Sequence, residues 1–313
     1  MTVWRLQTKT DSKDRSKIAG YCIENNVLAM GWSLKHLPKE APEQAIQERN
    51  EIDTFEKYTA FIEKYNVYKK AVNANVKRFY YEVKENDLVW IRADGIYYLG
   101  RVTEKSHWEF NLSALDLDAT NQITDIAWCK IGDESDVPGA ITTAFIRGHT
   151  LQKINKPSIL EYSQLIWNEK ANEMMYADVE LPKTAETFYS LLSPEDCEDL
   201  LCLWLYAKFG YIAIPSTNKK ATECYECVLR DPKTGRNIYP QVKAGGEELD
   251  KKNYCHLNGE VWLFTSKGCV VGEGGDNIHV ADPETLYEFA ESEAAKKILS
   301  QSILSWCDML ENA

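Results

Sequence analysis

Apolar positions in this chain come in short strand-like runs separated by stretches of helical spacing. Residues 3–7 predict a strand, followed by a polar helix over about 13–24 and a compact apolar strand at 27–30. From Pro42 to about Tyr81, apolar residues recur at i, i+3 and i+4, which predicts two or three polar helices. Residues 87–91 and 96–102 are apolar runs flanking Asp94-Gly95, a strong hairpin signal. Further strands are expected at 125–131 and 150–154. These elements together predict a small, partly closed β-barrel with inserted helices.

A helical pattern then covers about 159–175 and is broken near Pro182. Ser193 followed by Pro194 marks the start of a helix that runs to about Phe209, where Gly210 stops it. Two strands joined by a turn at 231–235 follow, then a short helix after Gly245-Gly246. Strands at 261–264 and 268–271 precede a helical tail capped by Asp282-Pro283-Glu284 and reaching Met309. That order is α/β, and the whole chain reads as α+β. The pattern predicts three parts: 1–155, a helical connector at 156–186, and 187–313.

At 313 residues, with 44% hydrophobic and 11% aromatic content, the chain is long enough for two cores and excludes a disordered protein. No apolar run reaches the length of a membrane span, and the first residues lack the apolar core of a secretion signal. Nine unevenly spaced cysteines read as reduced thiols, so a cytoplasmic location is expected. Cys224 and Cys227 spell C-x-x-C, but their odd separation on a strand turns the sulfurs to opposite faces, against chelation. Net charge is −12 and unevenly placed. Residues 1–155 carry 21 Lys and Arg against 22 Asp and Glu, while 186–313 carry 12 against 21. The acidic half is a poor non-specific binder of phosphate backbones. Lys9, Lys13, Arg15 and Lys17 are the candidate backbone contacts, although the same run also fits a solvated helix face.

The densest candidate chemistry is Glu226 on one strand and Gln241-Val242-Lys243 on the next. Alternation points Gln241 and Lys243 to one side. A turn centred near Lys233-Thr234 sets Glu226 opposite Gln241, with Lys243 a diagonal step away, in a patch about 5–8 Å wide. A carboxylate, an amide and an ammonium so placed suit a divalent cation and a scissile phosphate. The plain alternative is a cross-strand Glu226–Lys243 ion pair of little consequence.

Residues 193–245 resemble the Mrr-like branch of the PD-(D/E)xK nuclease superfamily. The likeness rests on Glu198 in the helix, Gly210-Tyr211 at its end, Glu226 on the second strand and Gln241-Val242-Lys243 on the third. It implies a restriction-endonuclease-like domain with Glu198, Glu226, Gln241 and Lys243 as catalytic residues. It further implies Mg²⁺ or Mn²⁺ held by Glu226, the Val242 carbonyl and Glu198. Glu226 stands where the family usually has Asp, and Gln241 replaces an acid, so weaker metal affinity is expected.

The amino-terminal half is similar to PUA-like domains of the EVE and YTH kind, through Trp4-Arg5, Met30-Gly31-Trp32, residues 86–90 and residues 148–152. That likeness implies a pocket for a flipped, often modified base, with Trp32, Trp90, Trp108 and Tyr97 as walls. Trp90, inside an apolar strand, also fits a core position. The expectation is a restriction or antiviral-defence endonuclease acting on double-stranded DNA with modified bases, with a homodimer as a further possibility. The alternatives are a base or nucleotide reader on an inactive nuclease fold, and an RNA-directed nuclease.

Overall fold

The computed structural model describes residues 1–8, 15–37, 42–68, 73–146, 149–217 and 225–312. The chain divides into two compact units, one of residues 1–137 and 141–179, the other of 138–140 and 180–313. Most of the segment expected as a connector, up to residue 179, therefore belongs to the first unit.

In the first unit, β1 (Val3–Leu6), α1 (Arg15–Glu24) and β2 (Leu28–Met30) lead into α2 (Pro42–Asn50), α3 (Phe55–Tyr65) and α4 (Ala74–Tyr81). The hairpin β3 (Leu88–Ala93) and β4 (Ile96–Val102) follows, then β5 (Trp108–Phe110), β6 (Asn121–Ile123) and β7 (Ile126–Gly132). Next come α5 (Gly139–Ile146), β8 (Leu151–Lys153) and α6 (Ile159–Ala171). Asp94 and Gly95 both adopt positive φ, 49° and 82°, as a two-residue turn matched to strand twist demands.

The strands form a five-stranded sheet, β7-β4-β3-β1-β8, and a separate three-stranded sheet, β2-β6-β5. β1 is parallel to β3 and antiparallel to β8. Among the described residues these sheets do not close, so the expected barrel is replaced by two sheets sharing a core. Trp4, Leu6, Val89 and Ile91 fill that core together with Phe55 and Phe79 from the helices. Asp87, only 3% exposed, ties strand ends together. It accepts from the Thr2 amide (2.7 Å), the Trp4 indole (2.8 Å) and the Lys84 amide (3.1 Å).

The second unit begins with α7 (Ala185–Leu191) and α8 (Pro194–Phe209), then β9 (Ile212–Ala213), β10 (Leu229–Arg230) and β11 (Asn237–Lys243). The rest is β12 (Leu249–Asp250), β13 (Glu260–Thr265), β14 (Val270–Val271), β15 (Ile278–Val280), α9 (Pro283–Ala290) and α10 (Gln301–Asn312). Its main sheet has the order β15-β13-β11-β10-β9, with β11, β13 and β15 mutually parallel. Parallel strands buried on both faces explain the unbroken apolar run of β13. Helix α8 covers one face through Trp204, whose ring lies 5.3 Å from that of Trp262.

Two expected elements differ. The helix after Gly245-Gly246 is a single 3₁₀ turn, Lys251–Tyr254, behind β12. The helical tail is two helices, because the hydroxyls of Ser292 and Ser300 accept from the Ala295 and Ile303 amides and start the chain afresh. Among the described residues no helix is long and apolar enough to cross a membrane.

Candidate active site

Helix α8 has a reciprocal capping box between Ser193 and Asp196, Pro194 in its first turn and Gly210 at φ 78° behind it. These fixed ends set which residues face the sheet. Cys197, Leu200, Leu201, Trp204 and Leu205 are buried, which leaves Glu198 half-buried at the border of the packed face.

The turn before β11 is pinned by Asp231, whose carboxylate accepts from the Lys233 amide (2.8 Å) and the Thr234 hydroxyl (2.6 Å), while Gly235 takes φ 70°. Leu229 then faces Ile238 and Arg230 faces Asn237. Continued three residues, this register sets Glu226 opposite Gln241. The Glu226 amide instead donates to the Pro240 carbonyl at 2.9 Å, one residue out of that register, so the pairing slips by one residue between Leu229 and Glu226.

Backbone direction explains why a site forms here. Asp231 donates to the Arg236 carbonyl and Glu226 to the Pro240 carbonyl, so even-numbered residues of β11 turn their peptide groups toward β10. β10 ends after two residues, and Pro240 has no N–H to leave unpaired on the edge thus opened. Val242 is the next residue directed that way. Its amide donates to Glu226 Oε1 at 3.4 Å, and its carbonyl accepts from Gln241 Nε2 at 3.3 Å. Gln241 Nε2 also donates to Glu226 Oε1 at 2.5 Å.

The structure thus brings Glu226, Gln241 and Val242 into direct contact. Glu198 joins them electrostatically: its carboxyl is pushed up to about 7, first by burial and then by the Glu226 charge, with Lys243 pulling the other way. Lys243 ends β11 and reaches Glu247 Oε2 only at 4.0 Å, leaving its ammonium largely uncommitted. Beside the acids, Cys202 and Cys227 bring their sulfurs to 3.6 Å, one turn beyond Glu198 and next to Glu226. Cys224, the other half of the C-x-x-C, lies outside the described residues.

Among the described residues no three His, Cys, Asp or Glu side chains converge as a ready metal cage. The oxygen set offered is two carboxylates, the Val242 carbonyl and Gln241 Oε1. That amide oxygen is buried with no hydrogen-bond partner among the described residues, an acceptor of the kind a cation or its water could use. Such a set fits Mg²⁺, which binds through one or two carboxylates and keeps several waters. The orphaned oxygen had no signal in the sequence, since burial of Gln241 is set by packing of residues distant from it in the chain.

A stability consequence follows for the metal-free protein. The folded Glu198 carboxyl lies above its ordinary value of 4.5, so the unfolded chain ionises first and stability is withdrawn as pH rises from about 4.5 to 7. In EDTA, Glu198→Gln stabilises the second unit at pH 8 by about 1 kcal/mol, a figure reduced for screening of a half-exposed group, and gives no gain at pH 4. Urea unfolding at the two pH values checks this.

The aromatic candidates in the first unit separate into two groups. Trp90 is fully buried, with its indole N–H on Ser163 Oγ (3.1 Å) and Tyr162 stacked 6.2 Å away. Tyr97 is equally enclosed, edge-on to Phe145 at 5.5 Å. Neither presents an open ring face, because α5 and α6 cover that side of the sheet, and both are removed as base-binding walls. Trp32 and Trp108 remain. Trp32 has φ 60°, a strained value for a bulky residue, and its carbonyl accepts from the Tyr58 hydroxyl at 2.9 Å. Trp108 packs edge-on to Phe55 and Tyr58, with ring centroids at 5.4 and 5.9 Å, and its indole N–H is buried with no partner among the described residues.

Of the basic candidates, Lys9 and Lys13 lie outside the described residues, as does the side chain of Arg15, while Lys17 is exposed on α1. No family model matches this sequence, and no curated protein or solved structure is similar enough to count as a match.

Proposed function

We propose that the chain is a metal-dependent phosphodiesterase acting on DNA, a restriction-type endonuclease with a restriction-endonuclease-like second unit. The observation that carries this reading is the open edge of β11. There the Gln241 amide N–H group holds Glu226 and the Val242 carbonyl together, its own oxygen is unpaired among the described residues, and Glu198 and Lys243 share the same field. Glu226, the Val242 carbonyl and Glu198 would hold Mg²⁺ or Mn²⁺. The bound ion would polarise the scissile phosphate and lower the pKa of a water. Lys243 offsets negative charge growing on the phosphoryl oxygens, and Gln241 orients Glu226 through its amide N–H. Cutting both strands with one such site per chain calls for two chains.

In this reading the first unit, with PUA/EVE-like character, selects the substrate by holding an extruded base at Trp32 and Trp108. The Trp108 indole N–H, buried with no partner among the described residues, is a donor that such a base could use. A second reading, a base or nucleotide reader on an inactive nuclease fold, is favoured by one observation: an amide rather than a carboxylate occupies position 241 and already engages Glu226 Oε1.

A panel of modified and unmodified DNAs and RNAs, incubated with Mg²⁺ or Mn²⁺, separates these readings. Endonucleolytic products on DNA support the first. Products on RNA alone redirect it to an RNA nuclease. Saturable, metal-independent binding lost in Trp32→Ala, without any cleavage, supports the reader.

A further inference from the structure

A polar cleft of about 520 Å³ opens at the start of β11, lined by Arg230, Arg236, Asn237, Asn258, Gly259 and Asn277 among others. Two guanidiniums and three carboxamides make this a concentration of hydrogen-bond donors in the half of the chain where acids outnumber bases 21 to 12. Arg230 directs Nη1 to Asn237 Oδ1 at 2.9 Å, across the hairpin register. Arg236 stays 68% exposed, steadied at 3.8 Å by Glu260, which the Tyr211 hydroxyl holds at 3.0 Å. The floor is tight backbone: Asn277 Nδ2 donates to the Gly259 carbonyl at 2.6 Å, and a Cβ on Gly259 would sit 2.3 Å from the Asn237 carbonyl.

The cleft and the candidate active site lie at opposite ends of β11, and between them Tyr239 packs on the core of Leu249, Tyr254 and Leu263 while Gln241 is buried. Asn237, Tyr239, Gln241 and Lys243 alternate onto the same face of β11. Six residues at about 3.3 Å each separate the two ends by about 20 Å. Between them Asn237 Nδ2 donates to the Tyr239 hydroxyl at 3.2 Å, and the Tyr239 ring tilts against Tyr225 at 5.0 Å. That distance is about six base-pair steps along a duplex.

We infer that the Arg230–Arg236 cleft is a phosphodiester-backbone subsite, binding the DNA strand at a point remote from the bond cut at Glu226 and Lys243. The inference rests on the nuclease reading for the path of the strand. Its chemistry is the pairing of forked guanidinium N–H groups with phosphate oxygens, and the amides of Asn258 and Asn277 supply uncharged donors beside them. An acidic domain that must approach a polyanion needs such a local cationic site, because phosphate neutralisation dominates backbone affinity.

The test is fluorescence anisotropy of a labelled DNA duplex with the full chain in Ca²⁺, over a range of salt, alongside cleavage of the same duplex in Mg²⁺. Arg230→Gln/Arg236→Gln is expected to weaken binding at least about ten-fold and to lower the slope of log K against log salt by about 1.8. Arg230→Lys/Arg236→Lys keeps most of the slope. Lys296→Gln/Lys297→Gln, which removes two cations that line no part of the cleft, leaves both quantities unchanged. Equal binding by the Arg→Gln variant and the wild type overturns the subsite even when cleavage proceeds, and so does a wild type that binds no duplex. Loss of binding in the variant, with a wild type that binds but never cuts, keeps the subsite and overturns the nuclease reading. A thermal melt that matches the wild type shows that the Arg→Gln variant is folded.

Discussion

Replacing Lys243 by alanine is expected to lower metal-dependent DNA cleavage by at least about 10²–10³-fold, equivalent to about 3–4 kcal/mol of transition-state stabilisation. The Lys243 side chain is 38% exposed and its ion pair with Glu247 is loose at 4.0 Å, so its removal disturbs no tight ion pair. Stability should therefore change little, and the loss appears in kcat. Glu226→Ala is expected to lose as much activity and more stability, because its Oε1 holds the Gln241 amide and the Val242 N–H. Single-turnover cleavage with saturating enzyme, paired with thermal melts, distinguishes the two. A Lys243→Ala protein that cuts at the wild-type rate contradicts the assigned role.

The second large effect lies in the first unit. Asp87→Ala is expected to destabilise it by about 3–5 kcal/mol, with a fall of about 10 °C or more in its melting transition. Three donors lose their acceptor at once: the Thr2 amide, the Trp4 indole and the Lys84 amide. Trp4 is fully buried, so its N–H finds no water in exchange. Asp87→Asn keeps one acceptor oxygen and should lose less. Equal melting of Asp87→Ala and the wild type, by circular dichroism, would refute this account of how the strand ends are held.

What could be read in the sequence depended on how local each signal was. The Asp94-Gly95 hairpin, the start of α8 at Ser193-Pro194 and its stop at Gly210 are set by residues within a few positions of one another, and the structure has them at those places. The 231–235 turn is equally local and brings the Glu226 and Gln241 side chains into contact, although the backbone pairing slips by one residue at Glu226, which parity and turn centre do not foresee. Closure of a barrel is a non-local property, and periodicity alone could not separate one closed sheet from sheets of five and three strands. Trp90 and Tyr97 show the same limit. An apolar strand position faces either a pocket or a covering helix, and α5 and α6, distant in sequence, decide it. Gln241 was legible as a polar residue at the site, but its unpaired Oε1 was not, because burial and partners are fixed by tertiary packing rather than by local spacing.

The acidic character of the second unit was plain in its charges, whereas the cationic cleft within it was not. Arg230 and Arg236 are six residues apart and meet only because the intervening turn folds them onto one cleft. The same turn positions Glu226, so one hairpin serves both ends of the proposed DNA path.

The central claim is that the β11 edge binds a divalent ion and uses it to hydrolyse phosphodiesters. The most direct measurement is a titration of Mg²⁺ and Mn²⁺ into wild-type and Lys243→Ala protein on the DNA panel, with cleavage products quantified. The account predicts no cleavage in EDTA, a saturable rise with either metal in the wild type, and no such rise in Lys243→Ala. Intact DNA at every metal concentration, or cleavage that persists in EDTA, would contradict it.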